Sequence, residues 1–346
     1  MQVDSHVMLR NCWQLAAWAD EVAPGGMLAR RIAGEHLLLV RSAAGEVHAM
    51  ADTCPHRLVP LSRGTCAQDT VTCGYHGLRF ALNGQCVENP HGPLSSALNV
   101  RTFSCIERHA ALWVWLGTQP ADPARIPDYS FIDRTAPEAR VKGYLHSACD
   151  YRLLVDNIMD LTHADYLHAE LLGGGINTRA KAEVEQVGDA ISITWTAEDD
   201  MLAPLHAQAL GTPDGRGDLY NRVLWEAPGN MVQRIMLALP GQMETAPVDS
   251  MTCHVMTPET ATSSHYFFCH TSDAVSADPG IAPFVLSSLL HAFANEDKPM
   301  LEAQSGRIGG QDFWSLRPAL LPSDKGNVLV RRALDRLIAT ERAAAA

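Results

Sequence analysis

No stretch of this chain is apolar for long enough to cross a bilayer. Runs such as Leu37-Leu-Leu-Val40 are strand-sized, whereas a spanning helix needs about 20 residues. Met1 to Arg10 lacks the basic start and apolar stretch of a signal peptide, so a cytoplasmic location is expected. Basic charge is also scarce. There are 27 Lys and Arg against 39 Asp and Glu, a net charge of −12, which argues against nucleic acid or an anionic membrane as the main partner. No internal repeat occurs, and no low-complexity segment beyond the Ala-rich C-terminal tail. Nine Cys in 346 residues make no disulfide framework. Cys12, Cys66, Cys86, Cys105, Cys149, Cys253 and Cys269 are expected to be reduced thiols in a cytosolic protein. The length exceeds what a bare electron carrier needs and fits two domains.

The most informative pattern is Cys54-Pro-His56, sixteen residues, then Cys73-Gly-Tyr-His76. A structural zinc site more often shows Cys-x2-Cys pairs or a Cys2His2 finger. Two thiolates and two imidazoles at this spacing suit a [2Fe–2S] cluster of Rieske type, one iron held by two Cys and the other by two His. Neutral imidazole in place of thiolate removes negative charge and raises the potential, so the centre accepts single electrons from a moderate donor.

The first third reads as short strands and turns. Glu35–Arg41 and Gly45–Met50 are a strand pair, Asn83-Gly84 a hairpin turn, and Ala111–Leu116 a strongly apolar strand. Gly117–Pro127, with three prolines, is expected to be the interdomain linker, giving domains 1–120 and 121–346. In the second part Ala190–Thr196, Met231–Leu239 and His265–His270 read as strands. Helices are expected over about Ala282–Ala303 and Lys325–Arg342, and mobile loops at Gly173–Gly175 and Gly211–Gly217.

A second constellation lies in Asp156-Asn-Ile-Met-Asp160-Leu-Thr-His163-Ala-Asp-Tyr-Leu-His168. On one continuous helix Asp156, Asp160 and His163 would share a face. His168 would then lie roughly 140° away from His163. For both rings to meet one ion, the helix must end or distort between them. Two His and one carboxylate facing open positions make the facial triad of non-haem Fe(II) oxygen-activating enzymes. Asp297 is the best carboxylate for the third position, and Glu296 the nearby competitor.

These segments resemble the Rieske non-haem iron aromatic-ring oxygenases, alpha (oxygenase) component. The likeness spans nearly the whole chain: Cys54-Pro-His56-Arg, Cys73-Gly-Tyr-His76-Gly, Asp156-Asn-x2-Asp160-x2-His163-x4-His168 and the late Glu296-Asp297-Lys298. Cys149-Asp-Tyr-Arg-Leu-Leu-Val and His254-Val-Met-Thr-Pro-Glu-Thr260 are similar to the demethylating branch, that of vanillate O-demethylase and dicamba monooxygenase.

The resemblance implies an α+β protein: an N-terminal Rieske β domain, then a helix-grip catalytic domain with an antiparallel sheet around a long helix. It implies a [2Fe–2S] cluster, a mononuclear Fe(II) and a head-to-tail homotrimer. In that trimer Asp160 is no iron ligand but bridges His76 of one subunit and His163 of the next. Asp156 and Asn157 would support the helix rather than do chemistry. Electrons would come from a separate NAD(P)H reductase, with flavin and a ferredoxin-type cluster, or from a ferredoxin. The implied reaction is O-demethylation or methyl hydroxylation of an aromatic acid with O2. A ring-hydroxylating dioxygenase alpha subunit and a Rieske electron carrier are the alternatives. Asn230 and His254 fall where related demethylases hold a substrate carboxylate. Ile158, Leu161, Ile235, Leu237 and Leu289 would supply apolar walls. Ser288 stands where dicamba-type enzymes place a larger aromatic residue.

Overall fold

The computed structural model describes residues 8–345, and the chain divides into two compact units between Asp128 and Tyr129. The first unit is built on a six-stranded antiparallel sheet. Its spatial order is Trp13–Trp18, Ala111–Trp115, Thr102–Arg108, Val47–Ala51, Glu35–Arg41, Met27–Ile32. Trp13–Trp18 and Ala111–Trp115 are buried along their whole length, which is why they read as apolar runs rather than alternations. A smaller sheet carries Thr65–Ala67, Thr70–Thr72, Arg79–Ala81 and Cys86–Glu88 in that order. The expected Asn83-Gly84 turn is present: Gly84 adopts φ +85° and donates to the Ala81 carbonyl at 2.8 Å. Leu38, Met50, Leu61, Val71 and Phe80 pack with Cys54 and Cys73 in one buried cluster.

The proline-rich segment is not a free tether. Trp13 Nε1 donates to Asp122 O at 2.7 Å, Arg108 to Pro123 O at 3.0 Å, and the Gln119 N–H to Asn11 Oδ1 at 2.9 Å. A proline-rich strand keeps its carbonyls while losing N–H groups, so side chains of the first unit satisfy it.

The second unit is a seven-stranded antiparallel sheet. Its strands are β1 (Val141–Ser147), β2 (Lys181–Val187), β3 (Ala190–Met201), β4 (Arg216–Glu226), β5 (Asn230–Ala238), β6 (Val248–Thr260) and β7 (Ser263–Ser272). They lie in the order β1-β7-β6-β5-β4-β3-β2. Its longest helices among the described residues are α1 (Tyr151–Met159), α2 (Ala282–Leu290), α3 (Lys298–Ile308) and α4 (Lys325–Ala345). This is the expected α+β arrangement, a β domain followed by an antiparallel sheet with long helices.

The expected single helix over 282–303 is interrupted. His291–Asp297 is π-helical, and the Lys298 N–H closes onto the Phe293 carbonyl five residues back. Pro299 supplies the reason. It offers no N–H to the Asn295 carbonyl and its ring crowds that oxygen, so the preceding turn widens. Phe293, on this segment, sits edge-on to Phe268 with centroids 5.1 Å apart. A Cβ on Gly143 would overlap the Phe268 ring, so glycine on β1 makes room for the stack that seats the π segment.

The two glycine-rich stretches expected to be mobile are pinned. Asp165 accepts from the backbone N–H groups of Gly175 at 3.1 Å and Thr178 at 2.7 Å, and from Asn177 Nδ2 at 3.0 Å. Gly211 ends the helix Pro204–Leu210 by donating to Ala207 O, and Asp214 accepts from the Arg216 N–H at 3.1 Å. Among the described residues, no helix is long and apolar enough to cross a membrane.

Candidate metal centres

Cys54 and Cys73 each open a loop of the same design. The Cys54 N–H donates to Val59 O at 2.9 Å, and the Leu58 N–H returns to Cys54 O at 2.9 Å. The Cys73 N–H donates to Leu78 O at 2.8 Å, and the Gly77 N–H returns to Cys73 O at 3.1 Å. The returning residue has positive φ in both, Leu58 at +59° and Gly77 at +73°. The loops bring both thiols to one buried spot, where their side chains touch. Burial, joined by the neighbouring Cys73, pushes the Cys54 thiol up, so thiolate there requires a positive partner. The His56 and His76 rings lie 4.5 Å apart. Desolvation, then the nearby His56 and Arg57, lower the His76 pKa and keep its lone pair available. His91 Nε2 meets the His76 carbonyl at 2.9 Å. Two buried sulfurs and two neighbouring imidazoles at the tip fit the donor set of a Rieske cluster.

In the second unit, His163, His168 and Asp297 bring one donor atom each within 4.8 Å of one another. Asp297 Oδ1 stands 3.5 Å from His163 Nε2 and 3.3 Å from His168 Nε2. Those are the spacings of adjacent ligands on an ion about 2.1 Å from each. The chain reaches this geometry as the sequence requires, by breaking the helix. α1 ends at Met159, a turn covers Leu161–His163, a short helix Ala164–Leu167 follows, and His168 leaves it at φ −104°, ψ 38°. Both imidazoles are held through Nδ1, by the Asp160 backbone carbonyl at 2.6 Å for His163 and by Glu296 Oε2 at 2.7 Å for His168. Both therefore turn Nε2 toward the shared point. Burial lowers the His168 pKa, but Asp297 and Glu296 outweigh it and the net shift is upward. The two carboxylates thus favour positive charge at this point. Asp297 supplies the carboxylate; Glu296, occupied on the far nitrogen, does not.

Because α1 ends before Asp160, the one-face arrangement of Asp156, Asp160 and His163 does not form. Asp156 turns away and pairs with Arg331 of α4. Asn157, expected only to support its helix, belongs to the metal site. Its Nδ2 lies 3.0 Å from Asp297 Oδ1 and 3.3 Å from His163 Nε2. The Asp160 carboxylate accepts from the Thr162 N–H at 3.0 Å and from Thr162 Oγ1 at 2.7 Å, both on Oδ1. It borders a groove of about 280 Å³ lined by Asn157, His163, Phe313, Trp314 and Leu320.

Asn230 and His254 do not converge. Strand side chains alternate between faces. His254 is opposite Met231 and Asn230 opposite Val255, so the two lie on opposite faces, and Asn230 Nδ2 donates to Ala227 O at 3.0 Å. The polar neighbour of His254 is Gln233, whose Oε1 is 3.1 Å from His254 Nε2, while Tyr266 Oη is 2.7 Å from Nδ1. Gln233 in turn donates to Asn221 Oδ1 at 3.0 Å. A hydrogen-bonded chain thus crosses β4 to β7 beside Phe293, whose ring centroid is 5.8 Å from His254. His254 is 1% exposed. Burial, then His270, push its pKa down to about 3 against the pull of Asp297, so the ring is neutral. Ile158 and Leu161 are buried beside the site. Ile235 and Leu237 pack with Leu202 and Leu219, and Leu289 with Val141 and Val275. Ser288 donates to Phe284 O of its own helix at 3.1 Å.

Residues 147–340 match the vanillate O-demethylase oxygenase C-terminal domain, and residues 12–103 the Rieske [2Fe-2S] domain. The chain belongs to the Rieske non-haem iron oxygenases. Within them it is 37% identical over 340 residues to the dicamba O-demethylase oxygenase component of Stenotrophomonas maltophilia, covering 97% of this chain and 99% of that one. It is 36% identical over 343 residues to the chloroacetanilide N-alkylformylase oxygenase component of Rhizorhabdus wittichii, covering 97% of each. Dicamba monooxygenase bound to 3,6-dichlorosalicylic acid superposes with a TM-score of 0.90 at 35% identity, over 97% of this chain and 99% of that one. This Rieske oxygenase is an O-demethylase-like monooxygenase with a [2Fe–2S] cluster and a non-haem iron site at His163, His168 and Asp297.

Proposed function

We propose that this chain is a terminal oxygenase that removes a methyl group from a methoxylated aromatic acid, or hydroxylates a ring methyl. Electrons come singly from a separate NAD(P)H reductase, with flavin and a ferredoxin-type cluster, or from a ferredoxin. The observation that carries the reading is the convergence of His163 Nε2, His168 Nε2 and Asp297 Oδ1, with no fourth acidic group in the cluster among the described residues; two His and one carboxylate facing open positions suit oxygen activation. Cys54 and Cys73 are assigned to one cluster iron, His56 and His76 to the other. The bound metals supply electron storage and oxygen reduction; the chain's residues do the rest. Asp160 and Glu296 fix the two ligand rings. Phe293, backed by the buried Phe268, offers an aromatic wall, and Gln233, held in place by the buried neutral His254, offers an amide that orients the substrate. Hydroxylation of a methoxy carbon gives a hemiacetal, which collapses to a phenol and formaldehyde.

The proposal includes a homotrimer in which Asp160 links His76 of one copy to His163 of another. Four observations support it. The Asp160 carbonyl already holds His163, both internal bonds to its carboxylate fall on Oδ1, and a groove opens beside it. On the cluster loops Leu58 and Tyr75 are 73% and 58% exposed, apolar surface suited to cover by a second copy.

A single turnover tests the function. The reduced protein receives oxygen and a panel of methoxylated and methylated aromatic acids. Formaldehyde with the matching phenol supports demethylation. An oxygen-18-labelled benzylic alcohol without formaldehyde moves the assignment to methyl hydroxylation, and a cis-diol to ring dioxygenation. No product despite full iron would sink the substrate class.

A further inference from the structure

Consecutive residues of one helix both reach the same imidazole. Glu296 Oε2 is 2.7 Å from His168 Nδ1, and Asp297 Oδ1 is 3.3 Å from His168 Nε2. In an α-helix, neighbouring side chains diverge by about 100°. Here both lie in the π segment His291–Asp297, and the ring, 3% exposed, is gripped at both nitrogens. Glu296 is itself steadied from behind, its Oε1 lying 3.7 Å from His291 Nε2. His163 has no equivalent: its Nδ1 meets a neutral backbone carbonyl. The two imidazoles of the site therefore differ in what stands behind them.

We propose that Glu296 is a positioning residue for the mononuclear centre. It accepts the Nδ1–H of His168, fixes the tautomer whose Nε2 lone pair faces the metal, and makes His168 the stronger donor of the two histidines. A carboxylate behind a ligating imidazole orients the ring and raises its basicity. The inference rests on His168 being a ligand, as proposed above. It assigns Glu296 a task distinct from the ligand role for which sequence alone makes it a competitor.

The test uses the full chain with its cluster in place and compares Glu296→Ala, Glu296→Leu and Glu296→Gln. The first readout is the His168 tautomer in mononuclear-iron-free protein by 15N NMR, assigned by the signal lost in His168→Gln. The second is the Fe(II) dissociation constant by chelator competition. Glu296→Ala is expected to mix the tautomers and weaken Fe(II) binding about 10- to 100-fold. Glu296→Gln, which keeps an acceptor, is expected to hold the tautomer and lose less affinity. Glu296→Leu fills the same space without an acceptor and decides the matter if the alanine variant does not fold. An unchanged tautomer and dissociation constant in the folded Ala or Leu variant would overturn the proposal. If His168→Gln binds Fe(II) like the unaltered chain, the ligand assignment beneath it fails instead.

Discussion

Lowering the pH from 7 to 5.5 should cost the catalytic domain stability through His206 and His254. Both are buried, and burial alone pushes His206 down to about 4, while burial with His270 pushes His254 to about 3. His206 Nδ1 has no hydrogen-bond partner among the described residues, and burial is the cause that disfavours its charged form. The folded pKa values lie below the unfolded value of about 6.5. Stability from these rings is thus present above pH 6.5 and is lost as pH falls toward the folded values. Across pH 7 to 5.5 the unfolded chain gains most of a proton per ring that the folded chain does not. The loss is about 1.2 kcal/mol per histidine, or about 2.5 kcal/mol for the pair, a sizeable part of a typical domain's 5–15 kcal/mol. The assay is urea unfolding at both pH values for the unaltered chain and for His206→Leu. The variant removes one proton-binding site and a buried polar atom without a partner, so its loss over the interval should be smaller by about 1.2 kcal/mol. An equal loss in both proteins would refute the argument for His206.

Asp160→Ala should keep the cluster spectrum and the mononuclear iron yet lose turnover; normal turnover would remove the bridge. His163→Ala should lower iron from about three to about two per chain with the cluster spectrum intact, and loss of the cluster instead would mean the two centres are confused. Gly143→Ala should destabilise the catalytic domain by about 1–3 kcal/mol, because the new methyl drives Phe268 against Phe293. Calorimetry checks this, and a shift under about 0.5 kcal/mol would show that the ring relaxes freely.

The candidate cluster site was legible in the sequence because the four proposed donors sit in two short loops, where spacing is geometry. The His163–His168 pair was legible too, including the helix break between them, since five residues is the wrong interval for one helical face. Asp297 was already the better candidate in sequence; that Glu296 instead stands behind His168 needed the π segment. Its signal, Pro299 within a helical pattern, was present but marks a break without giving its form. Asn157 escaped because it reaches the metal ligands across the end of α1, and sequence distance does not show where a helix stops. Gln233 escaped for a sharper reason. Which side chains accompany His254 depends on the pairing of β5 with β6, and an odd offset moves a residue to the other face. Asn230 and Gln233 differ by three.

The π segment also sets what kind of sequence change this site can absorb. A π turn is in effect one extra residue in a helix, held in place because neighbouring groups need it. Substitutions at Ala292, Ala294 or Asn295 leave that count intact. Deleting any one of them would let the helix close into regular α-form, turning everything beyond it by about 100° relative to what precedes it. Glu296 and Asp297 would then swing off His168 together. Length, more than residue identity, is therefore the constrained quantity between Leu290 and Asp297, and natural variants of this stretch should differ by exchange and not by insertion or loss.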